Sequence, residues 1–181
     1  YKFPPKLPNE DLTWSIQEAG QARLKEAGYM QYEVSAYART GSRARHNLNY
    51  WTFGDYLGIG AGAHGKITDS VTGAICRTER LKMPQSYMKA AQSGAAIGTE
   101  RSIQEDEIAF EFLMNGLRLR EGFKMEDFKA RTRLMPETLE PTLSRLISQE
   151  LLERTPDGIR CSPHGYNFLD TILQNFLNKT C

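Results

Sequence analysis

Near Thr99 the chain changes character, and that change limits what it can fold into. Residues 1–99 carry 12 Lys or Arg against 8 Asp or Glu, a net of +4, and hold most of the 15 glycines. Residues 100–181 carry 11 against 14, a net of −3, with few glycines and long helical periodicities. The polar stretch Gly94 to Ser102 reads as the joint. Two domains are therefore predicted, 1–98 of mixed α/β character and 99–181 mainly helical. Over the 181 residues the charges nearly cancel, at +1, which removes the bulk electrostatic argument for nucleic acid or an anionic membrane. With 40% hydrophobic and 25% charged residues the composition is globular, and no apolar run approaches the roughly 18 residues that span a bilayer. Tyr1 to Pro8 has neither a starting Met nor the apolar core of a secretory signal, so it reads as the middle of a longer, cytoplasmic chain.

In the first half, Asn9 or Asp11 caps a predicted helix running to Ala27, with Gly28 as its stop. Leu12, Ile16, Ala19, Ala22, Leu24 and Ala27 give it an imperfect apolar stripe. Tyr32 to Tyr37 alternates as a strand, with Glu33 and Ser35 on one face. Helix then strand is the unit of a parallel sheet covered by helices, which turns Glu33 and Ser35 towards a polar lumen. Asp55–Gly60 reads as a second strand, 64–68 and 74–78 as a hairpin, and Pro84–Ser93 as a helix. In the second half, helices are predicted over 104–117, 125–132 and 137–149. A hairpin over 151–154 and 159–161 and a last helix over 163–177 follow. Three helices and a hairpin in this order describe a winged-helix module. Its third helix carries Glu137, Glu140 and the terminal Glu150 against the single Arg145, a poor face for phosphate, so no nucleic-acid partner is expected.

The densest chemical cluster is Arg43-Ala44-Arg45-His46-Asn47-Leu48-Asn49-Tyr50-Trp51. A histidine with an available ring nitrogen suits heme iron. Tyr50 and Trp51 have the area to cover a porphyrin face, and Arg43 and Arg45 the forked donors for its propionates. The competing reading is an ordinary loop in which His46 and Asn47 satisfy backbone groups and the aromatics fill the core. A second cluster, Gly58 to Gly65, contains G-x-G-x-x-G from Gly60. A dinucleotide site needs a helix after those glycines, and Lys66-Ile67-Thr68-Asp69 reads as strand and turn instead. The glycines permit either close approach of a small molecule or a tight packing crossing. There is no G-x-S-x-G elbow. Cys76, Cys161 and Cys181 are too widely spaced for a disulfide framework or a zinc site and read as free thiols.

Tyr32-Glu33-Val34-Ser35-Ala36-Tyr37-Ala38, His46-Asn47-Leu48-Asn49-Tyr50-Trp51 and Gly54 through His64 together strongly resemble the HemW branch of the oxygen-independent coproporphyrinogen III oxidase family. The lead Pro4-Pro5-x-Leu7-Pro8 and the run Phe110 to Leu119 fit the same family, so the resemblance covers essentially the whole chain. It implies a radical S-adenosylmethionine protein with a partial (β/α)6 barrel followed by a helical domain. The family's CxxxCxxC motif for a [4Fe-4S] cluster is absent from this sequence. The resemblance therefore implies the C-terminal part of such a protein, one that neither holds the cluster nor cleaves S-adenosylmethionine alone. His46, Asn47, Tyr50 and Trp51 complete the H-N-x-x-Y-W motif of the branch regarded as heme chaperones. The implied iron ligand is His46, the implied partner a heme-acceptor protein, and Gly60, Gly62, Ala63 and His64 are placed beside S-adenosylmethionine. The alternative is an oxidase that decarboxylates the propionates of coproporphyrinogen III. A barrel cut in this way exposes a strand edge, which predicts either a homodimer through that edge or a covering segment such as Tyr1–Pro8.

Overall fold

The computed structural model describes residues 6–177, which form a mixed α/β chain of two compact units divided between Ala44 and Arg45. In the first unit, helix α1 (Glu10–Glu26) starts at Asn9, whose Oδ1 accepts the Leu12 N–H at 2.9 Å. Glu10 and Asp11 in its first turn and Arg23 and Lys25 in its last complement the helix dipole. Gly28 follows with φ 80°, a left-handed turn that suits glycine. No residue of α1 is buried, so the apolar stripe carrying Leu12 and Ile16 faces solvent in this chain.

The single strand expected over Tyr32–Tyr37 is instead a tight antiparallel hairpin, β1 (Met30–Glu33) and β2 (Ala36–Ala38), turning at Val34–Ser35. The cause is local chemistry that outweighs alternation. Glu33 Oε1 accepts from the Ser35 N–H at 3.1 Å and from Ser35 Oγ at 3.0 Å, which closes the turn. A register irregularity between Gln31 and Glu33 then buries Tyr32 and Glu33 together, at 3% and 1% exposure. Glu33 and Ser35 thus serve a turn, and the lumen-facing alternation expected of them is not kept. Arg43 stands 5.7 Å from the Tyr32 ring.

The second unit opens with α2 (Arg45–Trp51) and a three-stranded antiparallel sheet in the order β3 (His64–Thr68), β4 (Ile75–Arg80), β5 (Ile97–Ser102). The expected hairpin is β3–β4, and α3 (Pro84–Ala91) with proline at its start links β4 to β5. Asp55–Gly60 forms no strand. One bridge, Tyr56 to Lys66, is all that pairs there, and at Gly58 the backbone of His64 comes too close for any Cβ. The joint expected at Thr99 lies inside β5, so the polar stretch Gly94 to Ser102 ends in a strand and not in a linker. Among the described residues every strand pair is antiparallel. The expected homodimer through an open edge finds no support; on the outer side of β3 a single bridge pairs Tyr56 with Lys66 through two N–H···O bonds of 2.9 Å. The alternative cover, Tyr1–Pro8, begins in residues 1–5, outside the described residues.

Helix α4 (Glu105–Gly116) opens with a capping box between Gln104 and Glu107. Then come β6 (Phe123–Lys124), α5 (Met125–Thr132), a 3-10 turn (Pro136–Leu139), α6 (Thr142–Ser148), β7 (Leu152–Arg154), β8 (Gly158–Cys161), a second 3-10 turn (Gly165–Phe168) and α7 (Leu169–Leu177). The helix expected over 137–149 is broken at Pro141, which has no N–H to continue it and forces Glu140 to an extended ψ of 150°. The expected hairpin is present as β7–β8, with β6 added on its free side. Phe112 packs edge to face on both Phe123 and Phe128 at the centre of one core, which also takes Phe53 and Ile75 from before Thr99. Cys161 is buried in it, and desolvation pushes its thiol up to about 12 against a small opposing pull from Arg120. In the native chain Cys161 should therefore resist iodoacetamide at pH 8 and react only on unfolding. Prompt alkylation, mapped by mass spectrometry, would contradict this burial. Cys181 lies outside the described residues, and no described helix is long and apolar enough to cross a membrane.

Candidate functional site

Helix α2 places His46 and Tyr50 four residues apart, so they share a face. Their rings meet edge to face with centroids 6.5 Å apart, and both side chains are exposed. Among the described residues no hydrogen bond engages either ring nitrogen of His46, which leaves a lone pair for a metal. Arg45 beside it is exposed and makes no ion pair among the described residues. Arg43, the other expected propionate partner, belongs to the first unit, over Tyr32. Asn47 is half-buried, and so is Trp51, which carries the Arg118 guanidinium 4.3 Å from its ring centroid. The Trp51 Nε1 is buried without an acceptor among the described residues, a donor left for something to complete.

The far side of Tyr50 enters a cavity of about 480 Å³, within the usual range for ligand pockets. Trp51, Tyr56, His64, Lys66 and Arg77 are among the other residues around it. Tyr56 packs edge to face on Tyr50 at 4.5 Å, and its hydroxyl accepts from Arg77 Nη1 at 2.8 Å. Arg77 also forks onto Glu111 of α4, with Nε 3.1 Å from Oε2. Glu111 in turn receives Arg101 at 3.3 Å, and Arg101 reaches Glu107 at 2.8 Å. An ionic chain thus fixes the aromatic wall beside α2 to the helix that opens the second half.

Lys66 secures the other end of the wall. It is 2% exposed, and its ammonium donates to Asp55 Oδ1 at 2.7 Å, to the Phe53 carbonyl at 3.1 Å and to Thr68 Oγ1 at 3.3 Å. It also lies 4.2 Å from the Phe53 ring centroid. Phe53 takes φ 59°, unfavourable for so large a side chain, immediately after α2. Asn49 completes the stop, with Nδ2 donating to the Asp55 carbonyl at 2.9 Å. Burial lowers the Lys66 ammonium's pKa despite Asp55. Burial raises the Asp55 carboxyl, but the hydrogen bonds from Lys66 and Thr68 outweigh it and hold the group below the ordinary range.

Of the glycine cluster, Ala63 and His64 line the cavity, while Gly60 and Gly62 shape the loop behind it. Gly60 (φ 113°) donates its N–H to the Tyr87 hydroxyl at 3.1 Å, and Gly62 (φ 69°) to the Leu81 carbonyl at 3.0 Å. His64 is exposed, 3.9 Å from Glu79. Lys66, Arg77, Tyr56 and Glu111 are the site residues that sequence reasoning missed. Only the β3 alternation, which puts Lys66 on the opposite face from Ile67, hinted at the first of them.

A cluster site does not fit the described thiols, Cys76 and Cys161. Among the described residues no three His, Cys, Asp or Glu side chains gather to hold a metal ion. Burial, then Glu100, raises the Cys76 thiol, and Cys161 sits in the core.

Residues 103–168 match the model of the HemN C-terminal domain. The chain is 42% identical over 174 residues to "Heme chaperone HemW" of Escherichia coli (strain K12), covering 96% of this chain and 45% of that protein. It is 40% identical over 176 residues to the Haemophilus influenzae "Heme chaperone HemW", covering 97% and 45%. To "Radical S-adenosyl methionine domain-containing protein 1, mitochondrial" of Bos taurus the identity is 34%, over 95% of this chain and 40% of that one. The chain spans less than half the length of these curated relatives. Among solved structures it is similar to coproporphyrinogen III oxidase (HemN) from Escherichia coli, a radical SAM enzyme. That match has a TM-score of 0.68 over 94% of this chain and 42% of that one, and at 17% identity it is a likeness of fold.

Proposed function

We propose, for a chain that is HemW-like along its length and belongs over residues 103–168 to the HemN C-terminal domain family, that it binds heme as cargo and helps pass it to an acceptor protein. The observation that carries this reading is the exposed imidazole of His46, free of hydrogen bonds among the described residues and packed on Tyr50, which itself lines the 480 Å³ cavity. The residues fit a porphyrin. His46 offers a nitrogen lone pair to the iron, and Tyr50 offers a ring beside it. Arg45, exposed in the first turn of α2, supplies forked donors for a propionate. Lys66 and Arg77 are already committed to Asp55 and Glu111, so we give them the task of holding the wall in place. Asn47 and Trp51 complete the motif from its half-buried side, with Trp51 Nε1 still in want of an acceptor. An axial ligand at the surface suits a carrier, because a ligand from the acceptor can reach the iron as His46 leaves it.

The finer architecture belongs to the same reading. We take residues 1–98 as the last units of a partial (β/α)6 barrel and 99–181 as a winged-helix-like domain of α4, α5, α6 and the β6–β8–β7 sheet. On the barrel reading, α1 covers its bare apolar stripe with barrel neighbours. S-adenosylmethionine would lie against Gly60, Gly62, Ala63 and His64, and the [4Fe-4S] cluster would take its ligands from residues this sequence does not contain. A reducing, cytoplasmic compartment accords with the unpaired thiols of Cys76 and Cys161.

Hemin titration of the chain should give a saturable one-to-one Soret shift. His46→Ala should weaken it more than tenfold, about 1.4 kcal/mol or more. An unchanged affinity and spectrum in the variant would remove His46 as the ligand, and absence of any specific shift would favour the oxidase alternative.

A further inference from the structure

The loop between α2 and β3 carries two large apolar side chains outside the core. Leu57 and Ile59 are 72% and 82% exposed, and both border the 480 Å³ cavity that Tyr50 enters. The loop that presents them is tied down on three sides. Tyr56 pairs with Lys66 of β3 through two N–H···O bonds of 2.9 Å. From β4, Arg80 donates its Nε to the Gly58 carbonyl at 3.1 Å and its backbone N–H to the Ala63 carbonyl at 2.9 Å. On the α3 side the Gly60 N–H reaches the Tyr87 hydroxyl at 3.1 Å. A surface fixed in this way needs little further ordering when something covers it.

The polar lining narrows what that can be. Both of its cations are committed, Lys66 to Asp55 at 2.7 Å and Arg77 to Glu111 at 3.1 Å. Arg101 shares Glu111 and also meets Glu107, so that ionic chain closes with two charges of each sign. His64 stands 3.9 Å from Glu79. A carboxylate entering this cavity would lose water and find no unpaired Lys or Arg in the lining, whereas an uncharged apolar edge would bury Leu57 and Ile59 without that penalty. Arg45, without an ion pair among the described residues, lies at the other end of α2. It precedes Tyr50 by five residues, about 7.5 Å along the helix axis.

We propose that the cavity takes the vinyl-bearing edge of the heme, laid against Leu57 and Ile59, with the propionate edge turned towards Arg45. Vinyls and propionates lie on opposite edges of heme, so one orientation satisfies both ends of the site. Iron coproporphyrin carries propionates where heme carries vinyls, and either orientation of it sets a carboxylate against the apolar pair. Leu57 and Ile59 thus select the cargo. This orientation rests on the heme-carrier reading. The two residues precede the Gly60–His64 stretch given above to S-adenosylmethionine, so the two assignments use different side chains.

Parallel titrations of the chain with hemin and with iron(III) coproporphyrin III, followed in the Soret band, test the proposal. Hemin should bind at least about tenfold more tightly. Leu57→Asn combined with Ile59→Asn should weaken hemin about tenfold and leave iron coproporphyrin within about twofold of its wild-type affinity, with thermal unfolding as the check that the variant folds. Ile59→Lys should tighten iron coproporphyrin by supplying the cation that the lining lacks. Equal affinity for the two porphyrins, a double variant that weakens both alike, or no gain from Ile59→Lys overturns the orientation and leaves the carrier reading standing. No saturable shift with either porphyrin removes the carrier reading, and the orientation with it.

Discussion

Phe112→Ala should lower the melting temperature of the chain by roughly 10 °C, the largest single effect expected of a conservative truncation here. Phe112 is 1% exposed, and its ring meets Phe53 at 5.6 Å, Phe123 at 5.1 Å and Phe128 at 5.3 Å. Removing it takes away the transfer energy of a large aromatic and leaves a cavity that three other rings cannot collapse to fill, a cost of about 3–5 kcal/mol. The loss should reach the candidate site. Phe53 follows α2 directly, and its left-handed turn is held between the Phe112 ring and Lys66. Scanning calorimetry measures the first effect, and the hemin affinity of the folded variant measures the second. A shift under about 3 °C would mean that the core is not centred on this ring.

Asp55→Ala should destabilise the chain by about 2–3 kcal/mol, and by more than Lys66→Met does. The pair is asymmetric: Lys66 is 2% exposed, whereas the Asp55 side chain is 37% exposed. Removing the carboxylate strands a buried ammonium on a carbonyl and a hydroxyl. Removing the ammonium leaves a carboxylate that water reaches, with an apolar chain filling the buried space. Breaking a fully buried pair costs about 3–5 kcal/mol, and the exposure of Asp55 places this one lower. The pH dependence follows from the direction of the Asp55 shift. Its folded carboxyl is held below the unfolded value, so the stabilisation is complete above the ordinary aspartate range near about 4 and is lost as pH falls through the folded value. Urea unfolding of wild type and Asp55→Ala should therefore converge in acid. Curves that stay parallel down to about pH 2 would show that Asp55 does not hold Lys66 through its charge.

Much of the helical half was legible because its signals are local. Helix α5 begins and ends where the sequence places it, and α4 and the β7–β8 hairpin fall within a residue or two. The misses share a cause. Glu33 reads as one more alternating residue until its carboxylate binds Ser35 and folds the strand back. Pro141 sits inside a good apolar stripe, and the missing N–H outweighs the stripe. Strand β5 has little pattern of its own, being exposed along its length, and it exists because β4 offers it a partner.

The candidate site divides in the same way. His46 and Tyr50 were legible as members of a motif, although their shared face comes from helix α2, in a run that reads as a loop in the sequence. The wall that Tyr50 leans on was not. Tyr56, Arg77 and Glu111 lie 21 and 34 residues apart along the chain, and only folding makes them one contact. The sequence by itself determined the motif, most of the helices, the β3–β4 and β7–β8 hairpins and the charge difference between the halves, because each is written in residues close together. The tertiary structure decided that Lys66 is a buried clamp, that Arg77 is a strut rather than a ligand-binding cation, and that Leu57 and Ile59 border the cavity. Burial and ion pairing depend on what distant segments bring, and a linear pattern carries no record of it.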